Sequence, residues 1–292
     1  MSIPEIITLI IFIPYLGLIL LLAVGWRRIR KKPVPAATNE TRTRLSVIIP
    51  FRNEEANIDR LFNHLNRQDY PAENWEIIAI NDHSEDHTPD KLGNWLNRTI
   101  APLHVLDNQV NESGKKAALE KGISHAGGEL IITTDADCLM GEKWLSSIAR
   151  CYESQKPSMI LGPVLLNTKS ESLFGLFQSL ENFSLLAATA GSSGIGRPIF
   201  GSAANMAFQK QTYQRLSDPF TALTASGDDT LLLLKIKGLN PDKILYNRSG
   251  DAVITTQPAG RISQFWNQRK RWVSKSKYYK DPDIILAGLV VV

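Results

Sequence analysis

The segment ELIITTDADC, residues 129–138, joins an apolar, β-branched run to two aspartates that stand one residue apart. The run has the composition of a buried strand. Because residues i and i+2 of an extended strand point to the same side, Asp135 and Asp137 are predicted to face one ligand where the strand ends. Two neighbouring carboxylates repel each other unless a positive charge lies between them. A hard divalent cation, Mg²⁺ or Mn²⁺, fits that role, and a polar turn after a core strand is the structural alternative.

Strands and helices alternate around this segment. Apolar, β-branched runs predict strands at residues 45–51, 75–80, 103–106 and 129–134. Helical spacing between the runs predicts an α/β fold, with a Rossmann-like, mostly parallel sheet covered by helices on both faces. Ligands of such sheets bind beyond the carboxyl ends of the strands, where Asn53, Asp82 and the aspartate pair fall. Asn53 is also the predicted N-cap of the helix after the first strand.

Composition and charge exclude some classes of partner. The chain of 292 residues is 43% apolar and 21% charged, which is ordinary for a globular protein. Its net charge of +4 comes largely from two clusters, residues 27–32 and 269–280, without a basic and aromatic stripe between them. No nucleic-acid partner is therefore predicted. Cys138 and Cys151 lack metal-ligand spacing, and so few cysteines indicate a reducing compartment.

The N-terminal region is predicted to be a membrane anchor. Residues 6–24 are apolar or small apart from Thr8, and about nineteen such residues can cross a hydrocarbon core of ~30 Å. The basic cluster after Trp26 is predicted to stay inside, which gives a single pass at least through the cytoplasmic membrane with the rest of the chain in the cytoplasm. A cleaved signal peptide is disfavoured because no Lys or Arg precedes the apolar run.

The same features divide the chain into predicted parts. These are an anchor (1–26), a basic, proline-containing linker (27–44), one domain (45–280, with halves 45–156 and 157–280) and an apolar tail (281–292). The tail is either the start of a second membrane helix or a buried terminal strand.

Two apolar or basic helices are predicted in the second half of the domain. Residues 172–190 form a helix that packs in the core, the preferred interpretation, or lies on the membrane surface. Residues 191–201 are rich in Gly and Ser and are predicted to be flexible. Residues 262–277 form a basic helix for which anionic lipid is one expected partner.

Four segments resemble, in the family's order, the motifs of family 2 glycosyltransferases with the GT-A fold. They are VIIPFRNEE (47–55), NDHSED (81–86), DAD (135–137) and the pair GDD (227–229) with QRKRW (268–272). The similarity runs from about residue 45 to residue 279. The chain resembles the membrane-anchored branch of the family that includes cellulose, hyaluronan and chitin synthases.

The resemblance implies roles for individual residues. It implies nucleotide-sugar contacts, in the half 45–156, at Pro50, Arg52, Asn53, Glu54, Asp82 and Asp135. It implies a metal site at Asp137, supported by Asp135, and a general base at Asp229. It also implies acceptor or diphosphate contacts in the half 157–280, at Asp228, Gln268, Arg271 and Trp272. Lys115 and Lys116 follow Gly114, and one of them, with Lys115 preferred, is a further candidate for the donor phosphates, with solvated surface lysines as the alternative. Helix capping is the structural alternative for Asp228 and Asp229.

The function implied by the resemblance is transfer of a sugar from a nucleotide-sugar, expected to be a UDP-sugar, to a hydroxyl of a lipid-linked or polysaccharide acceptor. Direct displacement with one base, in the presence of Mg²⁺ or Mn²⁺, implies inversion at the anomeric carbon. A nucleotidyltransferase is disfavoured because the loop after the first strand has two acids and no Gly to cradle a triphosphate. A non-catalytic membrane scaffold that binds nucleotide is the other alternative.

Overall fold

The computed structural model describes residues 2–31, 43–109, 113–168, 172–217, 228–240 and 243–291, and for residues 3–11 and 228 it describes the backbone alone. Within these residues the strands are β1 (Leu45–Phe51), β2 (Trp75–Asn81), β3 (Leu103–Asp107), β4 (Leu130–Thr133), β5 (Leu139–Met140), β6 (Met159–Leu161), β7 (Val164–Leu166), β8 (Met206–Gln209), β9 (Ile244–Tyr246) and β10 (Ile254–Thr256). The α-helices are α1 (Ile3–Lys31), α2 (Ile58–Leu65), α3 (Thr88–Trp95), α4 (Lys115–His125), α5 (Trp144–Gln155), α6 (Leu173–Gly194), α7 (Lys210–Gln214), α8 (Asp228–Leu239), α9 (Ile262–Val273) and α10 (Pro282–Val291). The predicted linker residues 32–42, and Gly227, lie outside the described residues.

Seven of these strands form the main sheet in the order β3-β2-β1-β4-β8-β6-β9. Strands β3, β2, β1 and β4 run parallel to one another. Strand β8 is antiparallel to both of its neighbours, β4 and β6, and β9 is parallel to β6. The predicted α/β fold with a mostly parallel sheet is confirmed.

The central strands of the main sheet, β1, β2 and β4, are buried on both faces, which explains why they are apolar runs without polar alternation. In β1, Val47 and Ile49 pack into the core that contains α2, whereas Ile48 packs into the core that contains α4. Helices therefore cover both faces of the sheet, and the ends of the strands are the surfaces left for a ligand.

A smaller sheet lies beside the main one and consists of β5, β10 and β7 in that order. Strand β10 is antiparallel to β5 and parallel to β7. Because β5 follows β4 after one short turn, the small sheet brings the distant β10 next to the loop that carries the aspartate pair.

Helix α1 contains the stretch Phe12–Lys31, which by length and composition could cross a membrane. The helix continues through the basic residues that the sequence places in the linker. It crosses α6 with backbone against backbone, because a Cβ atom added at Gly25 would lie 1.8 Å from the carbonyl oxygen of Gly191. A Cβ atom at Gly194 would likewise lie 2.0 Å from the carbonyl oxygen of Gly25. Only glycine fits so close a crossing.

Two predictions about the second half are wrong. The 172–190 helix is not a core helix, because Leu173 and Leu180 on α6 are 85% and 70% exposed. The segment 191–201 is not flexible throughout, because α6 continues to Gly194, where it packs on α1. Of the two alternatives for the tail, the structure shows a helix, α10, and not a strand. Sequence alone underestimated these helices because their packing partner, α1, is far away in the chain.

Candidate active site

Three loops that follow adjacent parallel strands meet at one edge of the main sheet. The loop after β1 begins with Arg52, the loop after β2 with Asp82, and the loop after β4 holds Asp135 and Asp137. Pro50 lies half-buried near the end of β1. The carboxyl ends of parallel neighbours share one edge, so the structure brings the predicted donor-side residues into one region.

Asn53 ties the first two loops together. Its backbone adopts a φ of 55°, in the left-handed region that Asn tolerates. Its N–H donates to Ser84 Oγ (3.0 Å), and its Oδ1 accepts from the backbone N–H of Glu85 (2.8 Å). The predicted N-cap role of Asn53 is wrong, because α2 begins five residues later, at Ile58.

Asp82 is buried, with 3% of its surface exposed, and its carboxylate is held by hydrogen bonds. The side chain of Asn108 donates to Oδ1 (2.9 Å), and the N–H of Gly114 donates to both oxygens (3.0 and 2.9 Å). A guanidinium nitrogen of Arg52 lies 3.7 Å from Oδ2. Burial alone raises the pKa of Asp82, but these donors outweigh it and hold the pKa below its usual range.

We expect Asp82→Asn to lower stability by about 1–2 kcal/mol near neutral pH, because the new amide points a donor at existing donors. The folded-state pKa of Asp82 is lowered, so its stabilisation is present above the unfolded value of about 3.9 and is lost as the pH falls through the folded-state pKa. Thermal unfolding of the solubilised wild type and variant across this range checks the prediction. The matched control is Asp90→Asn, at a side chain that is 79% exposed. An unfolding difference that stays constant with pH would contradict it.

Glu54 faces the aspartate pair from the loop after β1. Burial raises the pKa of Glu54 and a hydrogen bond from Asn57 Nδ2 (2.7 Å) lowers it, whereas the charges of Asp137 and Asp135 raise it further. The net pKa of Glu54 is above its usual value. The negative charges at this edge are therefore close enough to repel one another, which favours a cation among them.

The aspartate pair lies in a turn and not on the strand. Strand β4 ends at Thr133, and the N–H of Cys138 donates to the carbonyl of Asp135 (3.1 Å), which closes the turn. The prediction that both carboxylates share one strand face is wrong. They have different partners, because Asp135 Oδ1 accepts from the ammonium of Lys115, whereas Asp137 Oδ2 accepts from the hydroxyl of Thr256 (2.7 Å).

Lys115 pairs with Asp135 of this turn. It opens α4 after Gly114, whose φ of 98° favours glycine. Burial lowers the pKa of Lys115, but the charge and hydrogen bond of Asp135 and the charge of Asp229 raise it by more, so the net pKa is above its usual value. The charged ammonium is thus stabilised by two carboxylates that lie 94 residues apart in sequence.

Asp229 is half-buried at the start of α8. Its carboxylate accepts from the backbone N–H of Thr230 (2.8 Å) and of Ala203 (3.4 Å). The bond to Thr230 fits the capping alternative, whereas the bond to Ala203 ties the carboxylate to a residue outside α8, and its charge raises the pKa of Lys115. Asp228 is the first residue of α8, and its side chain lies outside the described residues.

The residues predicted on α9 do not join this cluster through any contact recorded in the described chain. Arg271 and Trp272 are exposed, and Gln268 accepts from the neighbouring Arg269 (2.7 Å). The guanidinium of Arg269 pairs with Glu181 of α6 and stacks 4.1 Å from the ring of Trp272. Arg269 attaches α9 to α6, and diphosphate binding by Arg271 stays a prediction.

Sequence reasoning missed three residues of the site. Asn108 and Thr256 hold Asp82 and Asp137, and half-buried Tyr279 shares a hydrogen bond with Thr230. Burial raises the pKa of Tyr279, and the charge of Asp229 raises it further. No local pattern marks these residues, because each reaches the site through an element that is distant in sequence.

The donor set fits a hard cation shared with a ligand. The described residues contain no group of three or more His, Cys, Asp or Glu placed to hold a metal ion. Asp137 offers a carboxylate, and Asp135 beside it is paired with Lys115. A Mg²⁺ or Mn²⁺ ion commonly takes one or two carboxylates together with phosphate oxygens and water, so these residues fit such an ion when a diphosphate supplies the rest.

Comparison with known proteins identifies the family. The model for glycosyl transferase family 2 matches residues 46–212, more than half of the chain, and the chain belongs to this family. A dolichyl-phosphate beta-glucosyltransferase of Trichomonas vaginalis is 33% identical over 113 residues, 37% of this chain. The match spans only 34% of that relative's length.

Two solved structures share the fold. A mannosyltransferase of Pyrobaculum calidifontis, in complex with GDP-Man and Mn²⁺, superposes with a TM-score of 0.72 at 21% identity, over 98% of this chain and 80% of that one. Staphylococcus aureus TarS, in complex with UDP-GlcNAc, superposes with a TM-score of 0.55 at 21% identity, over 75% of this chain and 60% of that one. At these identities the likeness is one of fold.

Proposed function

We propose that this chain is an inverting, metal-dependent glycosyltransferase. It moves a sugar from a nucleotide-sugar donor, a UDP-sugar, to a hydroxyl of a lipid-linked or polysaccharide acceptor at the cytoplasmic face of a membrane. The observation that carries the proposal is Lys115, whose ammonium pairs with Asp135 and whose pKa the charge of Asp229 also raises. The relative from Trichomonas supports a lipid-linked acceptor by its name, and the TarS complex supports a UDP-sugar.

Donor binding begins with Asp82. An ionised carboxylate accepts about four hydrogen bonds, so Asp82 can take the imide N–H of a pyrimidine base while it keeps Asn108 and Gly114. Arg52 and Lys115 place positive charge beside this position, where they can pair with diphosphate oxygens.

Asp137, with Asp135 beside it, would hold Mg²⁺ or Mn²⁺. When bound, such a cation neutralises the charge that develops on a diphosphate leaving group. Lys115 contributes to the same end with its own fixed charge, which needs no reorganisation during the reaction.

Asp229 acts as the general base. Its carboxylate takes the proton of the acceptor hydroxyl while that oxygen forms a bond to the anomeric carbon. The bond from the anomeric carbon to the diphosphate oxygen breaks on the opposite face, and the electron pair leaves with the diphosphate. The N–H groups of Thr230 and Ala203 hold the carboxylate in place, and one displacement inverts the configuration.

The membrane part of the proposal concerns α1 and α6. Helix α1 spans the bilayer, and the exposed apolar side chains of α6 rest on the bilayer surface next to it. They are Leu173, Leu176, Phe177, Leu180 and Phe183. The basic helix α9 packs on α6 through Phe265, which meets Phe177 edge to face, and adds charges for anionic lipid. Membership of the branch with cellulose, hyaluronan and chitin synthases is proposed on the same grounds.

The test is calorimetric titration of the detergent-solubilised full chain with UDP, with and without Mn²⁺. We expect Mn²⁺-dependent binding of UDP that weakens at least tenfold in Asp137→Ala and is unchanged in Asp90→Ala. Tighter binding of GDP than of UDP would indicate that the donor carries a different nucleotide, and the proposed class of enzyme, a glycosyltransferase, would stand. Nucleotide binding that ignores both Mn²⁺ and Asp137 would contradict the metal-dependent mechanism, and product NMR that shows retained configuration would exclude the single displacement.

A further inference from the structure

A threonine from the small sheet touches the aspartate turn. The hydroxyl of Thr256 donates to Asp137 Oδ2 at 2.7 Å, across a separation of 119 residues. Thr256 is the last residue of β10, and Asp137 lies in the turn between β4 and β5. The contact is therefore a tertiary one, between two segments that are distant in sequence.

The position of Thr256 is set by backbone hydrogen bonds on both sides. Strand β10 lies between β5 and β7, with Thr255 opposite Leu139 and Thr256 opposite Leu166. The carbonyl of Thr256 also accepts from the N–H of Asn167 (2.8 Å). Because β5 starts two residues after Asp137, the same sheet fixes both the donor and the turn that carries the acceptor.

The two oxygens of Asp137 are therefore different. Oδ2 accepts a full hydrogen bond from Thr256, whereas Oδ1 lies 3.7 Å from the thiol of Cys138, which is a weak donor. The neighbouring Asp135 is already neutralised by Lys115. Among the described residues, no cation balances the charge of Asp137. One of its oxygens is fixed by a neutral donor, the hydroxyl of Thr256.

We propose that Thr256 is a positioning residue that orients the Asp137 carboxylate for a divalent cation carried by a nucleoside diphosphate. The inference rests on the proposed function, because it assigns a role toward the metal proposed there. Partners of ligating carboxylates hold the ligand in its binding rotamer, and their loss typically weakens metal affinity about 10–100-fold.

The experiment measures free Mn²⁺ by electron paramagnetic resonance during titration of the full chain, in the presence of UDP. Variants are Thr256→Val, which keeps shape and removes the hydroxyl, and Thr256→Ser, which restores it. Thr255→Val is the matched control, because the side chain of Thr255 points to the opposite face of β10. Asp137→Ala reports on the metal site itself, and thermal unfolding confirms that each variant is folded.

We expect Thr256→Val to weaken Mn²⁺ binding about tenfold or more, while Thr256→Ser and Thr255→Val stay within about threefold of the wild type. Wild-type affinity for Mn²⁺ in Thr256→Val, or equal losses of affinity in Thr256→Ser and Thr256→Val, would overturn the role of Thr256. The proposed function would still stand if Asp137→Ala loses Mn²⁺ binding. Wild-type affinity in Asp137→Ala, or no Mn²⁺ binding by the wild type, would overturn both.

Discussion

Asp229→Asn abolishes sugar transfer and leaves donor binding intact: we expect kcat to fall about 10²–10⁴-fold, the range that a general base contributes. The asparagine side chain keeps one oxygen, which can accept from the N–H of Thr230 (2.8 Å), so α8 should retain its start, whereas its NH₂ group replaces the oxygen that accepts the longer bond from Ala203 (3.4 Å). What it loses is the ability to take a proton. The measurement is the initial rate of transfer, with the Kd for UDP determined in parallel.

The control for Asp229→Asn is Asp251→Asn, at a carboxylate that pairs with Arg150 on another part of the surface. That variant should transfer sugar at the wild-type rate. Transfer by Asp229→Asn at more than a tenth of the wild-type rate would show that another group takes the proton. A large loss of UDP affinity would place Asp229 on the donor side instead.

Lys115→Met removes the positive charge that pairs with Asp135, and its effect should appear in binding as well as in rate. Asp135 would lose its ammonium partner, the charge of Asp229 would be less balanced, and a diphosphate would meet net negative charge. A lost charge-assisted bond corresponds to about 1.5–3 kcal/mol, so we expect UDP to bind roughly 10–100-fold more weakly. Titration with UDP measures this directly.

The pH dependence of Lys115→Met is also predicted. The pKa of Lys115 is raised, so the wild-type ammonium stays charged throughout the neutral range and the loss should be the same from about pH 6 to pH 8. Lys116→Met, at the next position of α4, is the matched control and should bind UDP like the wild type. Equal losses of UDP affinity in both variants would indicate a general effect of charge on α4. Unchanged UDP affinity in Lys115→Met would show that Lys115 is not part of the donor site.

The sequence predicts those parts of the site that depend on the ends of the strands. Asp82 and the aspartate pair follow apolar runs, and the rule that ligands bind at carboxyl ends of parallel strands needs only the strand order. The turn at Asp135 could not be predicted, because the apolar run does not show where β4 leaves the sheet. Whether a carboxylate faces its neighbour or a partner elsewhere is decided by tertiary contacts.

Thr256 and α9 are two further parts of the structure whose tertiary contacts could not be predicted from sequence. Thr256 lies in a three-residue strand, β10, and its neighbours β5 and β7 have two and three residues, so the sequence does not show that these strands pair with one another beside Asp137. On α9 the spacing correctly places Gln268, Arg271 and Trp272 on one helical face, but spacing does not tell which way that face points. The ion pair between Arg269 and Glu181 orients the helix, and it depends on α6, about 90 residues earlier.

The glycine crossing between α1 and α6 has a mechanical consequence. A flexible tether would let the catalytic region sample many heights above a bilayer, but Gly25 meets Gly191 and Gly194 without side chains that could slide or repack. With α1 in the bilayer as proposed, this helix fixes the catalytic region rigidly to the membrane. The candidate active site is then held at one height above the lipid and at one tilt. An acceptor is therefore selected by how far its hydroxyl protrudes from the lipid as much as by its chemical identity.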